Sequence, residues 1–192
     1  MKKIMFNDKY GLTQAVLEGR KTMTRRVINK QTEGWLRMQY DERYDDWHRR
    51  SPYMYIETLA IAQSYNKIGL SPSMYCEVPN EYGGTRDGSF DELAGWENKM
   101  FVKAEIMPHH IKITHIRVER LQEISDNDCL REGIRKWDKG GNPLGPLYDF
   151  VNSPHGYATS REAFAALIDK VSGKGTWESN PYVWVYEFEL VD

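Results

Sequence analysis

The 192-residue chain is predicted to fold as an α+β protein around a small β-barrel. Two observations lead there. Extended patterns outnumber helical ones, and the two kinds are interleaved along the chain. The last strand pattern, residues 182–190, is apolar on one face throughout: Tyr182, Trp184, Tyr186, Phe188 and Leu190. Its other face is apolar only at the start, at Val183 and Val185, before Glu187 and Glu189. That pattern suits a closed or nearly closed barrel with helices packed at its ends.

From the N-terminus onward, residues 3–6 read as a short strand, and Asn7 or Asp8 can cap the helix after it. Leu12, Ala15, Val16 and Gly19 sit at helical spacing, which predicts a helix over 8–18 closed by Gly19. Residues 22–28 are rich in β-branched residues and read as extended. Residues 29–52 are polar and aromatic without a period. The apolar stretch of 55–65 predicts a buried strand. Residues 66–98 are rich in Gly, Pro, Ser and Asn and read as a long excursion, anchored by Tyr75, Tyr82, Phe90 and Trp96. Residues 101–106 are a strand candidate. Residues 111–121 form the clearest long strand, and their apolar phase shifts from Ile111 and Ile113 to Ile116 and Val118. Such a shift calls for a bulge near Thr114 or His115. Ser125 caps a short helix over 125–132 that Gly133 ends. Residues 134–153 hold a Gly140 and Gly141 turn between two hairpin arms. Thr159 and Glu162 form a second capping box, ahead of a stripe of Phe164, Leu167, Ile168 and Val171 that ends at Gly173.

Length and composition bound the reading. The chain is long enough for one domain with a proper core, and its 40 % hydrophobic and 28 % charged content is ordinary for a globular protein. Formal net charge is -2, so any affinity for nucleic acid must come from a local patch. Cys76 and Cys129 form no CxxC unit and suggest neither a disulfide framework nor a zinc site. With no apolar run of membrane-spanning length and no signal-peptide pattern, a cytoplasmic protein without membrane partners is expected. Adjacent His109 and His110 point to opposite sides of an extended segment, so no metal site and no cofactor is expected. P-loop, GxGxxG, GxSxG and HExxH patterns are absent.

The most informative segment is residues 19–26, Gly-Arg-Lys-Thr-Met-Thr-Arg-Arg. It places four cations and two hydroxyls directly after the first helix pattern, and nothing in it builds a core. An anion is its natural partner, phosphate first, with Arg20, Thr22, Arg25 and Arg26 as the binding set. In a regular strand Lys21 and Thr24 diverge. They converge only if Lys21 belongs to the turn and its stem folds back. A lysine desolvated by a barrel wall can lose its proton near neutral pH and serve as a base, and a neighbouring threonine hydroxyl can then serve as nucleophile. The other reading makes Lys21 and the arginines phosphate contacts and the threonines strand formers. Rings in polar stretches (Trp35, Tyr40, Tyr44, Trp47, Tyr65, Trp96, Trp177) can stack on bases or simply cover the fold.

The same octet resembles the opening signature of ASCH domains, which belong with the PUA-like RNA-binding barrels. Two further blocks are similar: residues 113–133 with Arg117-Val-Glu-Arg-Leu-Gln, and residues 177–188 with Trp177-Glu-Ser-Asn-Pro-Tyr. Together they resemble the longer ASCH proteins of bacterial genomes and prophages. The resemblance implies a single PUA-like domain over 1–192 with flanking short helices and insertions at about 29–98 and 135–158. It implies an RNA or modified-nucleoside partner. Some small ASCH proteins are metal-independent amidohydrolases acting on N4-acetylcytidine. Their catalytic Lys, Thr and Glu fall here on Lys21, Thr24 and Glu132. Other members are non-catalytic RNA-binding modules or ribonucleases, and these stay open as alternatives.

Overall fold

The computed structural model describes residues 1–38, 50–138 and 145–191. Their secondary structure is mixed α+β, and the chain divides into two compact units. The first comprises residues 1–6, 58–111 and 191–192; the second comprises 7–57 and 112–190.

In the first unit, β1 (Lys2–Ile4) lies parallel to β3 (Thr58–Ile61), with Lys2 opposite Leu59 and Ile4 opposite Ile61. Leu59, Ala60 and Ile61 are fully buried, as the apolar stretch predicted. The excursion at 66–98 is ordered. It carries a hairpin of β4 (Tyr75–Pro79) and β5 (Thr85–Ser89), whose tip is tied by the Asn80 side chain accepting from the backbone of Tyr82 and Gly84. Two of its expected anchors hold. Phe90 is buried against Tyr65, and Trp96 packs on the same cluster. The other two do not: Tyr75 and Tyr82 are 85 % and 87 % exposed on the hairpin. Gly95 has no alternative, because a Cβ there would sit 2.6 Å from the Tyr65 ring.

The strand expected over 101–106 is instead two 3-10 turns, Lys99–Phe101 and Ala104–Ile106. Val102 and Ala104 are buried while Lys103 is exposed, so the alternation is real. The backbone finds other partners, however: Lys103 N–H donates to the Tyr65 hydroxyl and Asn98 caps the first turn. Alternating burial needs a ladder beside it to become a strand.

In the second unit, α1 (Leu12–Leu17) is shorter than the predicted 8–18. Asn7 and Asp8 form a turn that closes at Gly11, whose φ of +67 breaks the helix on its N-terminal side. After β2 (Met23–Val27) comes α2 (Lys30–Met38), which the aperiodic sequence did not reveal. β6 (His110–Arg120) runs from the first unit into the second. Its buried residues shift from Ile111 and Ile113 to Ile116, with Thr114 and His115 both exposed between them. α3 (Asp126–Arg131) is capped by Ser125, and β7 (Arg135–Trp137) pairs with β8 (Leu147–Asp149) as the two expected hairpin arms. α4 (Ser160–Ser172) carries the capping box of Thr159 and Glu162; Phe164, Leu167 and Ile168 are buried, but Val171 is not. The short α5 (Thr176–Ser179) precedes β9 (Tyr182–Leu190), which lies antiparallel to β2. No closed barrel forms among the described residues. Tyr40, Tyr44, Trp47, the Trp35 side chain and the Gly140 and Gly141 turn lie outside the described residues.

Candidate functional site

The site begins where α1 ends. Gly19 adopts φ +70, and the next residues are pinned on both sides: Lys21 N–H donates to Ala15 O, and Thr22 N–H to Arg131 O. Lys21 therefore belongs to the turn, and its stem folds back into the unit, leaving the residue 2 % exposed. Its Nζ donates to Met23 O at 2.7 Å, Glu132 O at 2.8 Å and Glu132 Oε2 at 2.6 Å. An ammonium has three protons, and each has an acceptor. Burial pulls the pKa of Lys21 below its ordinary 10.5; the Glu132 charge opposes that shift, while Arg26 and Arg25 add to it.

Glu132 stands at the C-terminal end of α3, immediately before Gly133 at φ +105. A Cβ at Gly133 would lie 3.2 Å from Leu12 Cδ2 and 3.7 Å from Lys21 Cδ, so glycine allows the helix end to close over the lysine stem. The second carboxylate oxygen of Glu132 accepts from Arg25 Nη1 at 3.2 Å. One buried carboxylate thus joins two buried cations.

Arg25 extends the network. Its side chain is fully buried, and it reaches Glu119 at 2.6 Å and Asp128 at 3.0 Å as well as Glu132. Arg117 links Glu119, Asp128 and Glu187, and Arg131 links Asp128 and Glu187. The β2–β9 register explains the convergence. Met23 faces Glu187 and Arg25 faces Val185, so these side chains project from one face of the paired strands. Such interlocked charges fix geometry, since each removal strands a partner in a poorly solvating interior.

Thr24 occupies the other face, directly opposite Tyr186. It is 5 % exposed, and among the described residues no hydrogen bond joins its hydroxyl to Lys21 or Glu132. The Tyr186 hydroxyl lies 2.8 Å from Ser51 Oγ, which donates to Tyr53 O at 2.6 Å. Burial pushes the Tyr186 pKa up to about 12, so the phenol stays protonated. The structure therefore brings Lys21 and Glu132 into contact and sets Thr24 on the other face of β2, in register with Tyr186 of β9.

The expected phosphate set is distributed differently. Arg20 is exposed and pairs with Glu18 at 2.5 Å. The Thr22 hydroxyl accepts from Arg131 Nε. Arg26 shares the Thr24 face, opposite Trp184. Arg25 reaches phosphate only if its three carboxylates release it. Sequence reasoning missed Glu119, Asp128, Arg117, Arg131 and Glu187. One signal was present: alternation in β6 places Arg117 and Glu119 on one face. Of the expected stacking rings, Tyr65 is core, Trp96 packs in the first unit, and Trp177 sets its edge against Phe164.

Among the described residues no three His, Cys, Asp or Glu side chains are grouped to hold a metal ion, and no helix is long and apolar enough to cross a membrane. In comparisons with known proteins, no family model, no curated protein and no solved structure matches the chain.

Proposed function

We propose that the chain is a member of the ASCH family with a PUA-like architecture, and that Lys21 is the base of an amide hydrolase acting on N4-acetylcytidine-like nucleosides. One observation carries the reading: a lysine buried in a polar clamp with Glu132, its proton affinity lowered by that burial. A lowered proton affinity is the direction that makes an ammonium a better base. The buried Thr24 hydroxyl, with no hydrogen bond among the described residues, supplies the nucleophile.

The reaction requires Thr24 Oγ, which lies on the opposite face of β2 from Arg25 and makes no hydrogen bond to Lys21 in this structure, to come within reach of the Lys21 amine. The neutral amine then takes its proton as Oγ bonds to the acyl carbon. The bond from that carbon to the exocyclic nitrogen breaks, and Lys21 returns the proton to the leaving amine. Water then hydrolyses the acyl-threonine ester, releasing the acid and restoring Thr24. Glu132 positions Lys21, and Arg25 holds Glu132 from its other oxygen.

A phosphate-binding reading of the octet receives less support, because Lys21 and Arg25 already face carboxylates. The test is incubation of the protein with N4-acetylcytidine and with structured RNA, following acetate, cytidine and RNA length. Turnover that falls about 10²-fold or more in Lys21→Met and Thr24→Val, and recovers in Thr24→Ser, supports the proposal. Shortened RNA would assign a ribonuclease. RNA binding without any product would assign a binding module.

A further inference from the structure

A second site lies in the second unit, at the far end of β2 from Lys21. Met23 and Val27 are four residue steps apart, about 13 Å along a strand. Around Val27 opens a cleft of about 410 Å³, within the range of small-ligand sites. Its lining has three chemistries. Val27, Ile28 and Pro181 are apolar, and Val27 is 44 % exposed. Lys30 and Arg120 are cationic, and Glu33 is the acid among the lining residues. Hydroxyls come from Ser172, Thr176 and Ser179.

Arg120 is held in place before any ligand arrives. Its guanidinium lies 3.8 Å from the centre of the Tyr182 ring, and Nη1 donates to Asn180 O at 3.2 Å. Arg25, Arg117, Arg131 and Arg135 in this unit all face carboxylates. Among the described residues neither Arg120 nor Lys30 does. A stacked arginine with nitrogens still to donate, beside an unpaired lysine, matches an oxyanion with several acceptor oxygens. The hydroxyls are biased in the opposite sense. Thr176 Oγ1 donates to Gly173 O and Ser179 Oγ donates to Thr176 O, so each hydroxyl proton is spent within the protein and only acceptor capacity is left for a ligand. They suit a ligand that brings its own hydroxyl protons, and the apolar floor suits a ring.

We propose that this cleft binds a nucleoside phosphate. The phosphate sits between Lys30 and Arg120, the sugar hydroxyls donate to Thr176 and Ser179, and the base lies over Val27 and Pro181. The proposal does not depend on hydrolysis at Lys21. The phosphate can belong to a free mononucleotide or to an RNA chain, and the experiment separates the two. The full chain is titrated calorimetrically with 5′-CMP, with cytidine and with a short 5′-phosphorylated oligoribonucleotide. CMP is expected to bind more tightly than cytidine, and both Lys30→Glu and Arg120→Gln are expected to weaken it about tenfold or more, the loss that goes with one charge-assisted bond. Binding of the oligonucleotide alone, weakened by the same substitutions, keeps the phosphate site and assigns its source to a chain. Three results overturn the proposal: no binding of CMP or oligonucleotide, cytidine binding as tightly as CMP, or binding that survives both substitutions. Lys30 is exposed and outside the core, so loss in that variant does not report misfolding.

Discussion

Replacing Glu132 with Gln probes the centre of the network. The carboxylate receives Lys21 at 2.6 Å and Arg25 at 3.2 Å, and all three side chains are at most 5 % exposed. Removing one partner of a buried pair costs about 3–5 kcal/mol, because the survivor stays charged in a poorly solvating site. Arg25 keeps Glu119 and Asp128, and Lys21 keeps two backbone carbonyls, so the low end applies: about 3 kcal/mol. For a chain of this size that lowers the melting temperature by about 6–12 °C. The deficit also has a pH signature. The folded-state pKa of Lys21 lies below its ordinary 10.5. Below the folded pKa the lysine is charged in both states and the burial penalty is complete. Between the two values the unfolded chain retains a proton that the folded chain has released, so stability rises with pH. Glu132→Gln removes a cause that raises the folded pKa, so the rise begins at lower pH. The deficit should therefore be largest near neutrality and shrink as pH approaches 10.5. Urea denaturation across this range measures it. A loss below about 1 kcal/mol, the worth of a surface pair, or a loss that does not change with pH, refutes the reasoning.

Three further perturbations test the same geometry. Burial works to raise the Glu187 pKa, but Arg131 and Arg117 overcome it and hold the carboxylate below its usual 4.5; its stabilisation is present above that value and lost as pH falls through the folded pKa, so Arg131→Gln should move acid unfolding, followed by circular dichroism, to higher pH. Gly133→Ala forces a left-handed backbone on a residue with a Cβ beside Leu12, and should cost about 1–3 kcal/mol in chemical denaturation; an unchanged midpoint contradicts that. The Cys129 thiol is fully buried and its pKa is pushed up to about 12, so it should resist thiol reagents until the chain is unfolded by denaturant.

The sequence was legible where one local rule governed the outcome. The Thr159 and Glu162 box, the Ser125 cap and the phase shift between Ile113 and Ile116 depend on neighbours a few residues away, and the structure has all three. Residues 101–106 alternate in burial through 105 without becoming a strand, because a ladder partner is not a local property. α2 is hidden by its surroundings: residues 29–52 as a whole show no period, although Lys30–Met38 taken alone is amphipathic at helical spacing. The site divided in the same way. Gly19 foretold a turn, and a turn allows the Lys21 stem to fold inward. The contact between Lys21 and Glu132 then comes from placing α1 against the end of α3. That Arg25 faces carboxylates rather than solvent depends on where β6 and α3 bring Glu119, Asp128 and Glu132, which no spacing within residues 19–26 encodes.

The proton affinity of Lys21 can be measured by nitrogen-15 NMR titration of lysine-labelled protein, with the resonance assigned through Lys21→Arg. A buried base clamped by Glu132 predicts a midpoint below 10.5 and a further fall in Glu132→Gln. A midpoint at or above 10.5 would show an ordinary structural ion pair and would remove the base from the proposed reaction.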